Sequence, residues 1–101
     1  MVIEYEVSLD VDAAIADDYL AWLHAHVDEI LALPGFIGAN ILSLDVEEPG
    51  RRAWCVRYRL TDRSALEAYF REHAARMRED GVRRFGGAFR ASRRILSPLE
   101  S

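Results

Sequence analysis

Leu33-Pro34-Gly35-Phe36 is the stretch that decides how this chain folds. Before it lies a long amphipathic run, and after it an apolar run with strand character. Proline lacks an N–H and pushes the residue before it out of helical geometry, so a helix must end near Leu33. Gly35 permits a backbone conformation that a β-carbon penalises, and Phe36 opens the next element with a large apolar side chain. On either side of this turn the chain reads as strand, helix, strand.

Upstream, Val2 to Leu9 alternates, with Ile3, Tyr5, Val7 and Leu9 on one face and Glu4, Glu6 and Ser8 on the other. That pattern is a strand with one buried face. Asp10 and Asp12 follow, and either suits a helix start, where a carboxylate accepts free N–H groups. Their spacing also resembles a calcium loop, but position 14 is Ala and no loop glycine or distal Glu follows. The first helix is expected from about Asp12 to Leu33, with Ile15, Tyr19, Leu20, Trp22, Leu23, His26, Val27, Ile30 and Leu31 on its apolar half. His24 and His26 point in widely different directions on a helix, so they do not share a metal.

Downstream, Phe36 to Val46 reads as the second strand, with Gly38, Ala39 and Asn40 leaving room for a bulge. Residues 47–52 form a hairpin loop around Pro49-Gly50. Ala53 to Leu60 is the third strand, with Trp54, Val56, Tyr58 and Leu60 on one face and Cys55, Arg57 and Arg59 on the other. Ser64-Ala65-Leu66-Glu67 fits a capping box for a second helix. Leu66, Tyr69, Phe70, His73, Ala74 and Met77 form its stripe, and Gly81 terminates it. Residues 83–87 read as a basic connector, and Ala88 to Leu96 as the last strand.

The order is βαββαβ: an α+β fold with one antiparallel sheet, strand order 4-1-3-2, and both helices on one face. Residues 1–50 hold eleven acidic residues and no Lys or Arg, whereas residues 51–101 hold thirteen Arg against six acidic residues. The strand order explains this split, because Glu4 and Glu6 would face Arg57 and Arg59 across the strands, flanked by Arg90 and Arg94. The halves then neutralise each other, which argues against a nucleic-acid partner. An RNA platform would also need aromatics on the face that carries Glu4, Glu6, Arg57 and Arg59. The chain reads as a single domain over residues 1–101, with no membrane span or secretory leader. Its single Cys55 suits a reducing, cytoplasmic setting.

Leu33-Pro34-Gly35-Phe36, Tyr58-Arg59-Leu60-Thr61-Asp62 and Ala65-Leu66-Glu67-Ala68-Tyr69-Phe70 are similar to segments of the dimeric α+β barrel superfamily, which has a ferredoxin-like fold. With Phe85-Gly86-Gly87 and Arg93-Arg94-Ile95-Leu96, the chain resembles more narrowly a short bacterial domain-of-unknown-function family related to antibiotic-biosynthesis-monooxygenase-like proteins. The resemblance spans nearly the whole chain and implies a homodimer with paired sheets. Superfamily members include cofactor-independent monooxygenases, lactone isomerases and haem-degrading enzymes, the last with an Asn, Trp and His set. This chain has Asn40, Trp54 and His73, but Trp54 is on a strand, and the helical place of the family tryptophan holds Tyr69. Haem degradation is therefore not implied, and neither a cofactor nor a metal is called for.

Candidate site residues follow from the faces turned inward. His26 and His73 are the candidate catalytic bases, since a neutral imidazole titrates near neutrality. Tyr19, Trp22, Asn40, Trp54, Tyr58, Tyr69, Phe70 and Arg93 are the candidate ligand-binding set, for an aromatic ligand and, at Arg93, a carboxylate. The competing reading is a filled core in which each histidine bonds a backbone carbonyl and Arg93 reaches solvent from an edge strand. Two functions stay open: a non-catalytic dimer that binds a small ligand or a protein, ranked first, and a cofactor-independent monooxygenase or isomerase acting on an aromatic or enolisable substrate.

Overall fold

The computed structural model describes residues 1–99. Strand β1 (Ile3–Asp12) leads through a 3-10 turn (Ala13–Ile15) into helix α1 (Ala16–Leu31), followed by β2 (Phe36–Leu44) and β3 (Arg51–Leu60). Helices α2 (Arg63–Glu72) and α3 (Ala74–Phe85), a 3-10 turn (Gly86–Ala88) and β4 (Phe89–Leu96) complete the order. The sheet is antiparallel throughout and ordered β2-β3-β1-β4. This is the expected ferredoxin-like α+β fold, with its core between one sheet face and the helices.

The Leu33–Phe36 turn behaves as its residues require. Gly35 has φ +87°, and a β-carbon there would stand 2.4 Å from Ala65 Cβ. The Gly35 carbonyl accepts the Thr61 N–H at 3.0 Å, tying the end of α1 to the start of α2.

Several expectations need correction. Strand β1 does not stop at Leu9, because Val11 continues the buried face at 0% exposure and pairs with Phe89 of β4. Asp10 and Asp12 are consequently strand residues, and neither caps a helix. The Asp10 carboxylate instead accepts Arg51 Nε at 2.9 Å, while Asp17 and Asp18 supply negative charge to the first turn of α1. The bulge falls between Phe36 and Gly38 and turns Ile37 outward. Asp62, not Ser64, caps α2, its carboxylate accepting the Ala65 N–H at 2.9 Å.

The second helix is broken at His73 (φ −132°). Its buried positions are Leu66 and Tyr69, then Ala74, Met77 and Gly81. Ala74 is five positions after Tyr69, about 140° away from one stripe at 100° per residue. The break resets the phase so that both segments turn apolar residues to the sheet. Gly81 therefore lies inside α3 rather than ending it, and a β-carbon there would meet the Trp22 ring at 2.9 Å. Residues 83–85 are helical, and Gly86 (φ +55°) ends the helix instead.

On the open face, Glu6 is opposite Arg57 on one side and Arg94 on the other, as the charge split required. Glu4 is opposite Arg59 in register, as expected, but among the described residues the two make no ion pair: Arg59 Nη1 donates instead to Asn40 Oδ1 of β2 at 2.9 Å. Arg90 is in register with Asp10.

Candidate ligand site

A cavity of about 330 Å³ lies between the sheet and the helices. Alternation in the strands builds its floor: Tyr5, Val7 and Leu9 of β1, Val56 and Tyr58 of β3, and Ala91 and Arg93 of β4. Helical spacing builds its roof from Tyr19, Trp22, Leu23, His26 and Ile30 of α1, Tyr69 of α2, and Met77, Arg78, Gly81 and Val82 of α3. Trp22 and His26 also border an outer groove between α1 and α3, with Asp18, Glu29, Asp80 and Arg84.

Six of the ten candidate residues thus come together: Tyr19, Trp22, His26, Tyr58, Tyr69 and Arg93. Four do not line the cavity. Asn40 is exposed on the opposite sheet face, occupied by Arg59. Trp54 stacks on the outer side of Tyr19 (centroids 6.1 Å, 13°) and supports it from behind. Phe70 packs edge-on against Tyr5 (centroids 5.3 Å, 81°) at the margin of the core, 36% exposed, with the Arg78 guanidinium 5.9 Å over its ring. His73 stands at the helix break, its Nδ1 accepting Arg76 Nη2 at 3.1 Å, so the phase change has carried it off the inner stripe. Sequence reading missed Tyr5 and Arg78. Tyr5 was legible on the inner face of β1, but Arg78 is brought inward only by the helix break.

The polar chemistry of the cavity is concentrated in hydroxyls without partners. Tyr5 is engaged, its hydroxyl accepting Arg78 Nη2 at 3.2 Å. Tyr19, Tyr58 and Tyr69 make no hydrogen bond among the described residues, yet no buried side-chain oxygen or nitrogen there lacks a partner. Their hydroxyls must therefore open onto the cavity rather than being sealed in the core. Burial pushes the Tyr19 and Tyr58 hydroxyls well above the usual phenol range, and that of Tyr69 to about 12. All three are protonated donors at neutral pH.

His26 stacks on Trp22 (centroids 4.4 Å, 22°), while the Trp22 indole donates to Asp80 Oδ2 at 2.8 Å. Burial holds the His26 pKa below its ordinary value, and Glu29 and Asp80 oppose this only in part. The imidazole is therefore neutral at pH 7 and keeps a lone pair. Among the described residues neither His26 nor His73 bonds a backbone carbonyl, so neither is the satisfied core histidine of the competing reading. Cys55 is buried on the other face against Glu6, and burial raises its thiol pKa, which does not favour a nucleophile. Among the described residues no three His, Cys, Asp or Glu side chains converge as a metal shell. No described helix is long and apolar enough to cross a membrane.

The sequence pattern of a family described as a domain of unknown function (DUF4286) matches residues 1–99. No curated protein matches the chain in sequence. Among solved structures, a variant of SnoaB, a cofactor-independent oxygenase from Streptomyces nogalater, superposes with TM-score 0.71 at 11% identity, covering 99% of this chain and 95% of that one. A Deinococcus radiodurans protein provisionally assigned as an antibiotic biosynthesis monooxygenase gives 0.72 at 15% identity, with 100% and 95% covered. A dimeric ferredoxin-like protein from an uncultured marine organism gives 0.72 at 11% identity, with 99% and 98% covered. At such identities the likeness is one of fold.

Proposed function

The chain belongs to the DUF4286 family, and from that footing we propose that it is a homodimeric, cytoplasmic protein that binds a small planar aromatic molecule between sheet and helices. One observation carries the reading: a cavity of about 330 Å³ into which three unpartnered tyrosine hydroxyls and a neutral histidine open. Apolar walls with a few convergent polar groups are what a ligand of this kind requires. A dimer is supported by the open sheet face, where Leu42 and Leu44 are exposed beside the Glu6 cluster, and by the dimeric marine structure of the same fold.

A thermal-shift screen of phenols and quinones tests the cavity. A ligand at a hundredfold its Kd adds about 2.7 kcal/mol, more than roughly 10 °C for a domain of this size. No shift with any planar compound, including at millimolar concentration, sinks the reading. Sedimentation equilibrium tests the assembly, and a single 11.5 kDa species at micromolar concentrations refutes the dimer.

A second reading is favoured by His26 specifically. A neutral imidazole facing an aromatic cavity is placed to take a proton from a phenolic or enolisable substrate, the first step of an isomerase or a cofactor-independent oxygenase. His26→Ala would then abolish turnover of a bound substrate while leaving its binding within a fewfold. His73→Ala, outside the cavity, would change neither. Equal turnover by wild type and His26→Ala would refute His26 as the base.

A further inference from the structure

The cavity lining contains two guanidiniums and no carboxylate, in a chain whose net charge is −4. The two are not equivalent. Arg78 is committed to the Tyr5 hydroxyl and to the face of Phe70. Arg93 has neither an ion pair nor a hydrogen bond among the described residues, although the acidic groups around the sheet and α3 have taken other arginines. Glu6 holds Arg57 and Arg94, Asp10 holds Arg51, and Asp80 holds Arg83 and Arg84.

Strand geometry forces this position. Arg94 must face the open side to reach Glu6, so Arg93, one residue earlier, must face the helices, opposite Val7. Arg93 is exposed on the edge strand β4, so its guanidinium stands at the mouth of the cavity, next to solvent on one side and the apolar lining on the other. Its field reaches inward, opposing the effect of burial at Tyr19, Tyr58 and Tyr69. A guanidinium in such a place is matched by a planar anion that can take its N–H fork, while an amine or other cation is repelled.

We infer that the cavity is selective for an aromatic carboxylate, with Arg93 gripping the carboxylate at the rim and the tyrosine hydroxyls donating to oxygens on the ring. This rests on the ligand-binding reading above and names its ligand class. At an exposed rim, solvent screening limits such a charge pair to roughly two- to fivefold in affinity.

Isothermal titration of naphthol and of hydroxynaphthoate, which differ only by the carboxylate, tests it on wild type, Arg93→Gln and Arg90→Gln. Arg90 lies on the same strand but the opposite face, so its variant controls for a general loss of positive charge. Hydroxynaphthoate should bind wild type and Arg90→Gln about two- to fivefold more tightly than naphthol, with an advantage that shrinks as salt rises. In Arg93→Gln that advantage should vanish while naphthol binding is unchanged. Equal affinities in wild type, or an advantage that survives Arg93→Gln, would overturn the inference and leave the aromatic cavity standing. Binding of neither probe would overturn both. Circular dichroism and naphthol affinity together report whether Arg93→Gln has kept its fold.

Discussion

Replacing Glu6 by Gln should weaken the protein by an amount that depends on pH, because this carboxylate is buried on the open sheet face between two arginines. Glu6 is 4% exposed; its Oε1 accepts Arg57 Nε at 2.8 Å, and its Oε2 accepts Arg94 Nε. The bond from Arg94 is the largest influence on the carboxyl, burial opposes it, and the bond from Arg57 adds to it, leaving the pKa lowered from 4.5 to about 2. A shift of that size corresponds to an upper figure of about 3 kcal/mol. The arginine side chains are 41% and 64% exposed, so solvent screening reduces the expected contribution to about 1–2 kcal/mol. A depressed carboxyl stabilises the fold above its unfolded pKa, and the contribution is lost as pH falls from 4.5 towards about 2. Urea unfolding of wild type and Glu6→Gln at fixed protein concentration, at neutral pH and in steps down to about pH 3, reads the difference. The gap should be widest at neutral pH and close on acidification. A double-mutant cycle with Arg57→Gln should give a coupling of about 0.5 kcal/mol or more. A gap that does not change with pH, together with zero coupling, would refute the assignment of this stability to the charge cluster.

His26 should titrate below the ordinary 6.5 in an NMR pH series, and a midpoint at or above that value would refute its burial. Its neutral form stabilises the fold above 6.5, and that contribution is lost as pH falls through this value towards the folded pKa. Gly35→Ala should destabilise by about 1–3 kcal/mol, since it adds a β-carbon 2.4 Å from Ala65 Cβ at φ +87°; an unchanged midpoint in urea would contradict the turn geometry. Tyr58→Phe should change the stability of the ligand-free protein by less than about 0.5 kcal/mol, because its hydroxyl has no protein partner, whereas Tyr5→Phe should cost about 1 kcal/mol through loss of the Arg78 bond. A large loss in Tyr58→Phe would mean that its hydroxyl is bonded within the core.

What was legible in the sequence was what depends on local alternation and charge. Ile3, Tyr5, Val7 and Leu9 announced the buried face of β1, the βαββαβ order placed β1 between β3 and β4, and the unequal halves agreed with that placement. The helix break at His73 was not legible, because stripe counting joins Tyr69, His73 and Met77 without strain. Only the packing of Ala74 and Gly81 against their neighbours selects the broken form, and with it go the placements of His73, Phe70 and Arg78. Capping was misread for a similar reason: Asp62 and Ser64 both suit a helix start, and the turn held between Gly35 and Thr61 decides between them. Asn40 is separated from the cavity by strand alternation, which puts it on the face with Arg57 and Arg59, whereas Trp54 is on the inner face as expected and is kept from the cavity by Tyr19 stacked against it.

The position of β1 at the centre of the sheet has a consequence for how the chain is made. Its acidic strand is synthesised before both of its partners, β3 and, after all the other strands, β4. Until Arg94 leaves the ribosome, Glu6 has at most one of its two guanidiniums, and one edge of β1 is an open row of hydrogen-bonding groups. Eleven carboxylates without a single Lys or Arg keep that nascent half solvated and mutually repelling, so it resists pairing with copies of itself on neighbouring ribosomes. The charge that later fixes strand register thus first acts as a guard against premature association.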